Sequence, residues 1–284
     1  MKKLLTILIA ALMSVCALFS FTACGNQKDP DKLYVGMECG YAPFNYTQTT
    51  DENGAVKISN APGYANGYDV LIAKKIAESL GKELVIVKYE WDALIPAVQS
   101  GALDFIIAGM SRTDERKESI DFSEPYYTSQ LVIVVRKAEE GGKFANAKTL
   151  ADFNGAKIVA QNGTFHDKAL NAQGPAFGIT RATPMESFPL MINALKTKAV
   201  DGYVAEDPGA QADCAANSEF TYIPLVNNDT GFTTTPGDVE ISVGLKKGSE
   251  YLTAINDALT KISKEERSSL LETAIRNSFG NSVA

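Results

Sequence analysis

Histidine is nearly absent: the 284 residues contain one, His166. Without a second imidazole a His-rich metal centre is excluded. Cysteine is scarce too, with four residues, Cys16, Cys24, Cys39 and Cys214. No two have the close spacing of a zinc site, and so few thiols make no disulfide framework. Cys39 and Cys214 are therefore expected as free thiols, and no metal or other cofactor is called for. Positive charge is the minority, 27 Lys and Arg against 34 Asp and Glu, a formal net charge of −7. An acidic body is a poor partner for nucleic acid and gains nothing general from anionic lipid.

Long apolar runs are missing everywhere except at the start. Lys2 and Lys3 form a short basic head, and Leu4 to Phe21 is apolar apart from Thr6, Ser14 and Ser20. Small residues then lead to Cys24. This layout is that of an export signal rather than of a domain helix. A single membrane-spanning anchor is the competing reading, since the run is almost long enough. The polar stretch that follows, with Pro30, reads as a tether over residues 24–32. Removing residues 1–23 leaves a chain long enough for two modest domains.

From Lys32 apolar strands alternate with helices. Leu33–Met37, Leu84–Tyr89 and Leu103–Ala108 read as strands. A helix carries Ile72, Ala73, Ile76, Ala77 and Leu80 on one face and stops at Gly81. Asp92 is placed to cap a second helix, and Asn45–Gly67 reads as a long polar loop. The pattern restarts at Leu131–Val135. It continues with a helix capped at Thr149, a strand Lys157–Ala160, a helix Ser187–Lys198 and a strand Gly202–Ala205. A strand Phe220–Ile223 and a strand Glu240–Leu245 follow, then two closing amphipathic helices. Continuous apolar strands separated by helices indicate an α/β fold with buried parallel pairing. Two such units suggest two lobes, with ligand held beyond the strand ends.

One segment carries chemistry. Strand Leu103–Ala108 runs into Gly109 and Ser111, a helix starts at Thr113, and Arg116 lies in its first turn. Small groups at a strand end with a cation behind them make a seat for a carboxylate. A surface arginine paired with Asp121 or Glu115 is the plainer alternative.

The run Ala108–Arg116, continued by Asp121–Tyr127, resembles the ligand-binding stretch of the family 3 extracellular solute-binding proteins, the amino-acid receptors of ABC importers. The likeness extends from Leu33 to about Phe279. It implies a two-lobed fold of the type II periplasmic-binding-protein kind, with ligand in the interlobe cleft. It also implies lobe 1 from 33–125 plus 242–284, lobe 2 from 131–236, and hinge crossings at about 126–130 and 237–241. Phe21-Thr22-Ala23-Cys24-Gly25 resembles a bacterial lipobox, with Phe21 where Leu is usual, which implies cleavage before Cys24 and lipidation of its thiol.

The resemblance also assigns ligand contacts. Arg116 would pair with the carboxylate of a free amino acid, helped by the N–H groups of Ser111 and Phe165. Thr164 would open the helix that presents Phe165. The ammonium would meet Glu206, the Ser111 hydroxyl and the Gly109 carbonyl. Asp207 competes for that acidic role, since a slip of one residue would exchange the two. Tyr41 and Trp91 would sandwich the ligand tail, with Glu38 and Gln161 at its polar end. No Lys or Arg stands at a tail position, so a polar or basic amino acid is expected rather than an acidic one. Arg112 departs from the family pattern, and either solvent or the cleft is open to it.

The expected function is a lipid-anchored, extracytoplasmic receptor, acting as a monomer. It closes on an amino acid and delivers it to an ABC permease and its ATPase. The alternative is an enzyme like the cyclohexadienyl dehydratases on the same scaffold. Nothing in the sequence makes a nucleophile–base pair for it.

Overall fold

The computed structural model describes residues 28–228 and 230–279. Cys24, the apolar run and the first four residues of the expected tether, 24–27, lie outside the described residues. Among the described residues no helix is long and apolar enough to cross a membrane.

The first sheet is built around Lys32–Met37. This strand pairs in parallel with Glu83–Lys88, Val35 opposite Ile86, and with Phe105–Ile106, Val35 opposite Phe105. Gly244–Leu245 then inserts antiparallel between Phe105–Ile106 and Asp121–Phe122. Helix α1, Tyr68–Leu80, buries Ile72, Ala73, Ile76 and Ala77 and ends at Gly81, whose φ of 65° suits glycine. Helix α2, Trp91–Gln99, covers the sheet with Leu94 and Val98, and the short α3, Asp114–Ser119, follows. The first turn of α2 contains Asp92 itself. Glu90 holds the cap position, so the expected Asp92 cap is not what starts the helix.

The second sheet has the order Thr180–Arg181, Lys157–Val159, Gly202–Glu206, Leu131–Arg136, Phe220–Pro224. Its helices are α4, Phe165–Gln173, α5, Phe188–Lys196, and α6, Asp207–Ala216. Ile133, Val135, Phe153, Ile158 and Leu170 fill its core. The chain ends in α7, Tyr251–Thr260, and α8, Lys264–Phe279, which packs on both α1 and α6.

Both lobes therefore hold mixed sheets rather than parallel ones. Leu131–Arg136 is buried at every residue, yet it runs antiparallel to both neighbours, Val132 opposite Ala205 and Ile133 opposite Ile223. Continuous apolarity reports burial on both faces and says nothing of direction. The expected loop Asn45–Gly67 instead carries strands Asn45–Gln48, Val56–Lys57 and Tyr64–Asn66 of a small antiparallel sheet. The Thr149 helix is a single 3₁₀ turn, Leu150–Phe153, closed by a reciprocal Thr149–Asp152 box.

The two sheets are joined by paired crossing strands. Tyr127–Thr128 runs antiparallel to Glu240–Ile241. Tyr126 N–H donates to Ile241 O at 2.9 Å and Ser129 N–H to Val239 O at 2.8 Å. Arg112 belongs here: its Nε donates to Glu240 at 2.6 Å, which takes its charge to the crossing and away from the cleft.

Candidate ligand-binding site

The strand Lys32–Met37 delivers the loop that bears Glu38 and Tyr41. Asn45 Oδ1 accepts from the Cys39 N–H at 2.7 Å and Thr47 donates to the Cys39 carbonyl at 2.9 Å. Those bonds hold the loop with both side chains buried. Cys39 is buried and Cys214 half-buried, both as free thiols.

Gly109, three residues past the neighbouring strand Phe105–Ile106, has φ at 62°, a region L side chains rarely adopt. An added Cβ would also stand 3.3 Å from two Tyr41 ring carbons. Beneath it lies fully buried Asp69, which accepts from Asn45 at 2.8 Å, from the Tyr126 hydroxyl at 2.6 Å and from the Gly109 N–H. Burial lifts its pKa to about 6 despite those three donors. One carboxylate thus ties the Glu38 loop, Gly109 and the first crossing together. Nothing in its sequence context marked it.

Thr113 caps α3 by accepting from the Arg116 N–H at 3.3 Å. The Arg116 guanidinium donates to the Ser111 carbonyl at 2.9 Å and, across the cleft, to the Gly163 carbonyl at 3.3 Å. It lies 5.1 Å over the Trp91 ring. Burial draws its pKa down to about 10, so it stays charged at neutral pH. Trp91 Nε1 donates to the same Gly163 carbonyl at 3.2 Å.

The second sheet brings the other wall. Thr164 caps α4, accepting from the Asp167 N–H at 3.3 Å and donating to the Gln161 carbonyl at 2.6 Å. Phe165 is the first helical residue, where N–H groups lack intrahelical partners. Gln161 Nε2 reaches both Glu38 oxygens, at 3.0 and 3.1 Å. Burial raises the Glu38 pKa to about 7, and nearby Glu90 and Asp92 add to the rise.

Glu206 ends strand Gly202–Glu206 and is 3 % exposed. His166 Nε2 lies 2.9 Å from one of its oxygens and the Tyr41 hydroxyl bonds the other. Burial raises its pKa to about 8. Asp207 turns away, accepting from Gln211 at 2.6 Å, so the acid at the cavity is Glu206.

All ten predicted contacts, Glu38, Tyr41, Trp91, Gly109, Ser111, Arg116, Gln161, Thr164, Phe165 and Glu206, line one cavity. Ala108, His166 and Phe188 complete its wall. Phe188 stacks on Tyr41 with ring centroids 4.1 Å apart. The space enclosed is about 20 Å³, room for a single water. A larger groove of about 670 Å³ lies behind the crossing, between Tyr127 and Arg267, and contains none of the ten. Among the described residues no cluster of three acids, cysteines or histidines is suited to a metal.

Two mixed α/β lobes, joined by two strands and enclosing a polar cavity lined by one arginine and two buried acids, define a solute-binding protein. The chain belongs to the bacterial extracellular solute-binding proteins, family 3, whose sequence pattern matches residues 33–274. It is 32% identical over 230 residues to a probable histidine-binding protein of Campylobacter jejuni, covering 78% of this chain and 80% of that one. Over 270 residues it is 26% identical to the arginine-binding extracellular protein ArtP of Bacillus subtilis, covering 92% and 93%. An amino acid ABC transporter substrate-binding protein of Streptococcus pneumoniae, crystallised with L-arginine, superposes with a TM-score of 0.74 at 28% identity. That match covers 87% of this chain and 94% of the other. These relatives are all named as binding proteins.

Proposed function

We propose that this protein is a lipid-anchored extracytoplasmic receptor for an amino acid with a cationic tail, handing it to an ABC importer. The observation that carries the reading is the charge layout of one cavity. Arg116 stands against the carboxylate seat, Glu206 lies across from it, and Glu38 is a second buried acid at the far end. A zwitterion needs the first two, because a buried charge without a partner costs several kcal/mol. A third, positive group on the ligand would give Glu38 its partner.

In this reading the ligand carboxylate takes the Arg116 guanidinium and the N–H groups of Ser111 and Phe165. The ammonium takes Glu206, the Ser111 hydroxyl and the Gly109 carbonyl. The tail runs between Tyr41 and Trp91 to Glu38. Gln161 then gives up its bonds to Glu38, and the Tyr41 hydroxyl gives up Glu206. Both changes need the lobes to part, because about 20 Å³ admits no amino acid.

Residues 33–125 with 242–284 would move against 131–236 about the crossings at 126–130 and 237–241. Each lobe offers half of the contacts, so ligand favours the closed arrangement by differential binding. Relatives named for arginine and histidine support the cationic tail, and the lipobox-like Phe21–Gly25 supports anchorage through Cys24.

Calorimetry with arginine, lysine, ornithine, histidine, glutamine, cystine and glutamate tests the reading. The basic amino acids should bind tightest. Glutamate binding more tightly than all of them would overturn the pocket assignment.

A further inference from the structure

The single histidine has a place in the cleft that its sequence context does not announce. His166 lies in the first turn of α4, 5 % exposed, with its ring edge-on to Phe188 at 6.2 Å. Its Nε2 is 2.9 Å from one Glu206 oxygen, while the Tyr41 hydroxyl holds the other. Nδ1 is buried and has no hydrogen-bond partner.

We propose that His166 is the positioning residue of the ammonium site: its Nε2–H holds the Glu206 carboxylate in the orientation that meets the ligand. This role rests on the receptor reading above, in which Glu206 pairs with the ammonium.

The geometry gives three reasons. First, Glu206 is the last residue of its strand and the cap residue of α6, so its backbone is fixed but its side chain needs its own tether. Two tethers are present, one per oxygen. Tyr41 comes from the opposite wall and must leave when the lobes part. His166 comes from α4, which follows the strand Lys157–Val159 paired directly with the Glu206 strand, so its bond survives opening.

Second, the bond defines the tautomer. With Nε2 as donor, Nδ1 is bare, which accords with its lack of any acceptor nearby. Third, the ring is neutral: burial, aided by the Arg116 charge, lowers its pKa to about 3. A charged imidazolium would cancel the Glu206 charge and compete with the ammonium. A neutral donor orients the carboxyl in the free protein and leaves the charge it gains on ligand binding to the ammonium.

The test uses untagged, ¹⁵N-labelled protein, in which His166 supplies the only imidazole signals. At pH 7 the ring should show one protonated nitrogen, Nε2, and one bare nitrogen, Nδ1. The Nε2 signal should shift when arginine saturates the site, and should shift in Glu206→Gln without ligand. His166→Phe keeps an aromatic ring but has no donor. It should weaken arginine binding about tenfold or more, the scale of a lost hydrogen bond to a charged group. His166→Gln supplies an amide donor and should recover binding to within about threefold of wild type. A doubly protonated ring at pH 7, or His166→Phe binding arginine as tightly as wild type, would overturn the role. Failure of the wild-type protein to bind any amino acid in the panel would overturn the receptor reading itself.

Discussion

In the proposed reading three buried ionisable groups set what the cavity accepts, and each has a different physical footing. Arg116 is permanently cationic and anchored by two carbonyls. Removing it leaves a ligand carboxylate without a charged partner, a loss of about 3–5 kcal/mol. Arg116→Ala should therefore weaken arginine binding a hundredfold or more, about 1.4 kcal/mol per decade. Its melting temperature without ligand should stay close to wild type, since the guanidinium touches two loop carbonyls and the Trp91 ring at the cavity wall rather than the core. Retained micromolar binding with an unchanged melting curve would refute the role given to Arg116.

The two acids make binding depend on pH. Burial raises Glu206 to about 8 and Glu38 to about 7. An ammonium or guanidinium at either group favours the ionised form, so the complex holds fewer protons than the free protein. Affinity for arginine should fall as pH drops from 8 to 6. Proton release should be measurable at pH 7 as a dependence of the calorimetric enthalpy on buffer ionisation. The free protein should follow the opposite trend. Its raised carboxyls keep protons that the unfolded chain gives up above pH 4 to 5. Their contribution to stability is thus largest at the acid end and is lost as pH rises through 7 and 8. Equal arginine affinity at pH 6 and pH 8 would remove the linkage.

At the scale of elements, the site is a meeting of strand ends and one helix start. That is why so much of it was legible. Gly109, Ser111 and Arg116 sit within one short strand–turn–helix segment, where glycine, hydroxyl and cap residues have local meanings. Gln161, Thr164 and Phe165 form a second such segment. What the sequence did not reveal depends on partners far along the chain. Tyr41 and Glu206 are 165 residues apart, and Glu38 and Gln161 are 123 apart. Asp69 is an acid in the first turn of α1, and its tie to Tyr126 and Gly109 exists only once the chain is folded. Strand direction was illegible for a similar reason: Leu131–Arg136 enters from a crossing strand rather than a crossover helix. Thr164 offers a test at this scale. Thr164→Ala removes the α4 cap, which should lower stability by about 1 kcal/mol in a denaturant titration. It should also weaken arginine binding, because the Phe165 N–H loses its fixed direction. A stability loss with wild-type affinity would mean that α4 does not present a donor to the ligand.

The two large sheets are coupled by two thin strands and by α8, which packs on helices of both lobes, and the wall residues meet only when the lobes meet. Arg112 contributes here and not in the cavity. Its pair with Glu240 stitches the loop between Ser111 and Thr113 to the second crossing. The chain contains one tryptophan, Trp91, and its Nε1 donates across the cleft to Gly163 at 3.2 Å. Its emission therefore reports the distance between the walls. Arginine addition should shift that emission, and stopped-flow traces should give an opening and closing rate. Arg112→Ala removes a half-buried ion pair at the crossing while leaving every cavity residue in place. It should change those rates more than it changes the Trp91 end point at saturation. Binding seen by calorimetry without any change at Trp91 would show that the ligand does not enter between these walls, and the hinge-closure reading would fail with it.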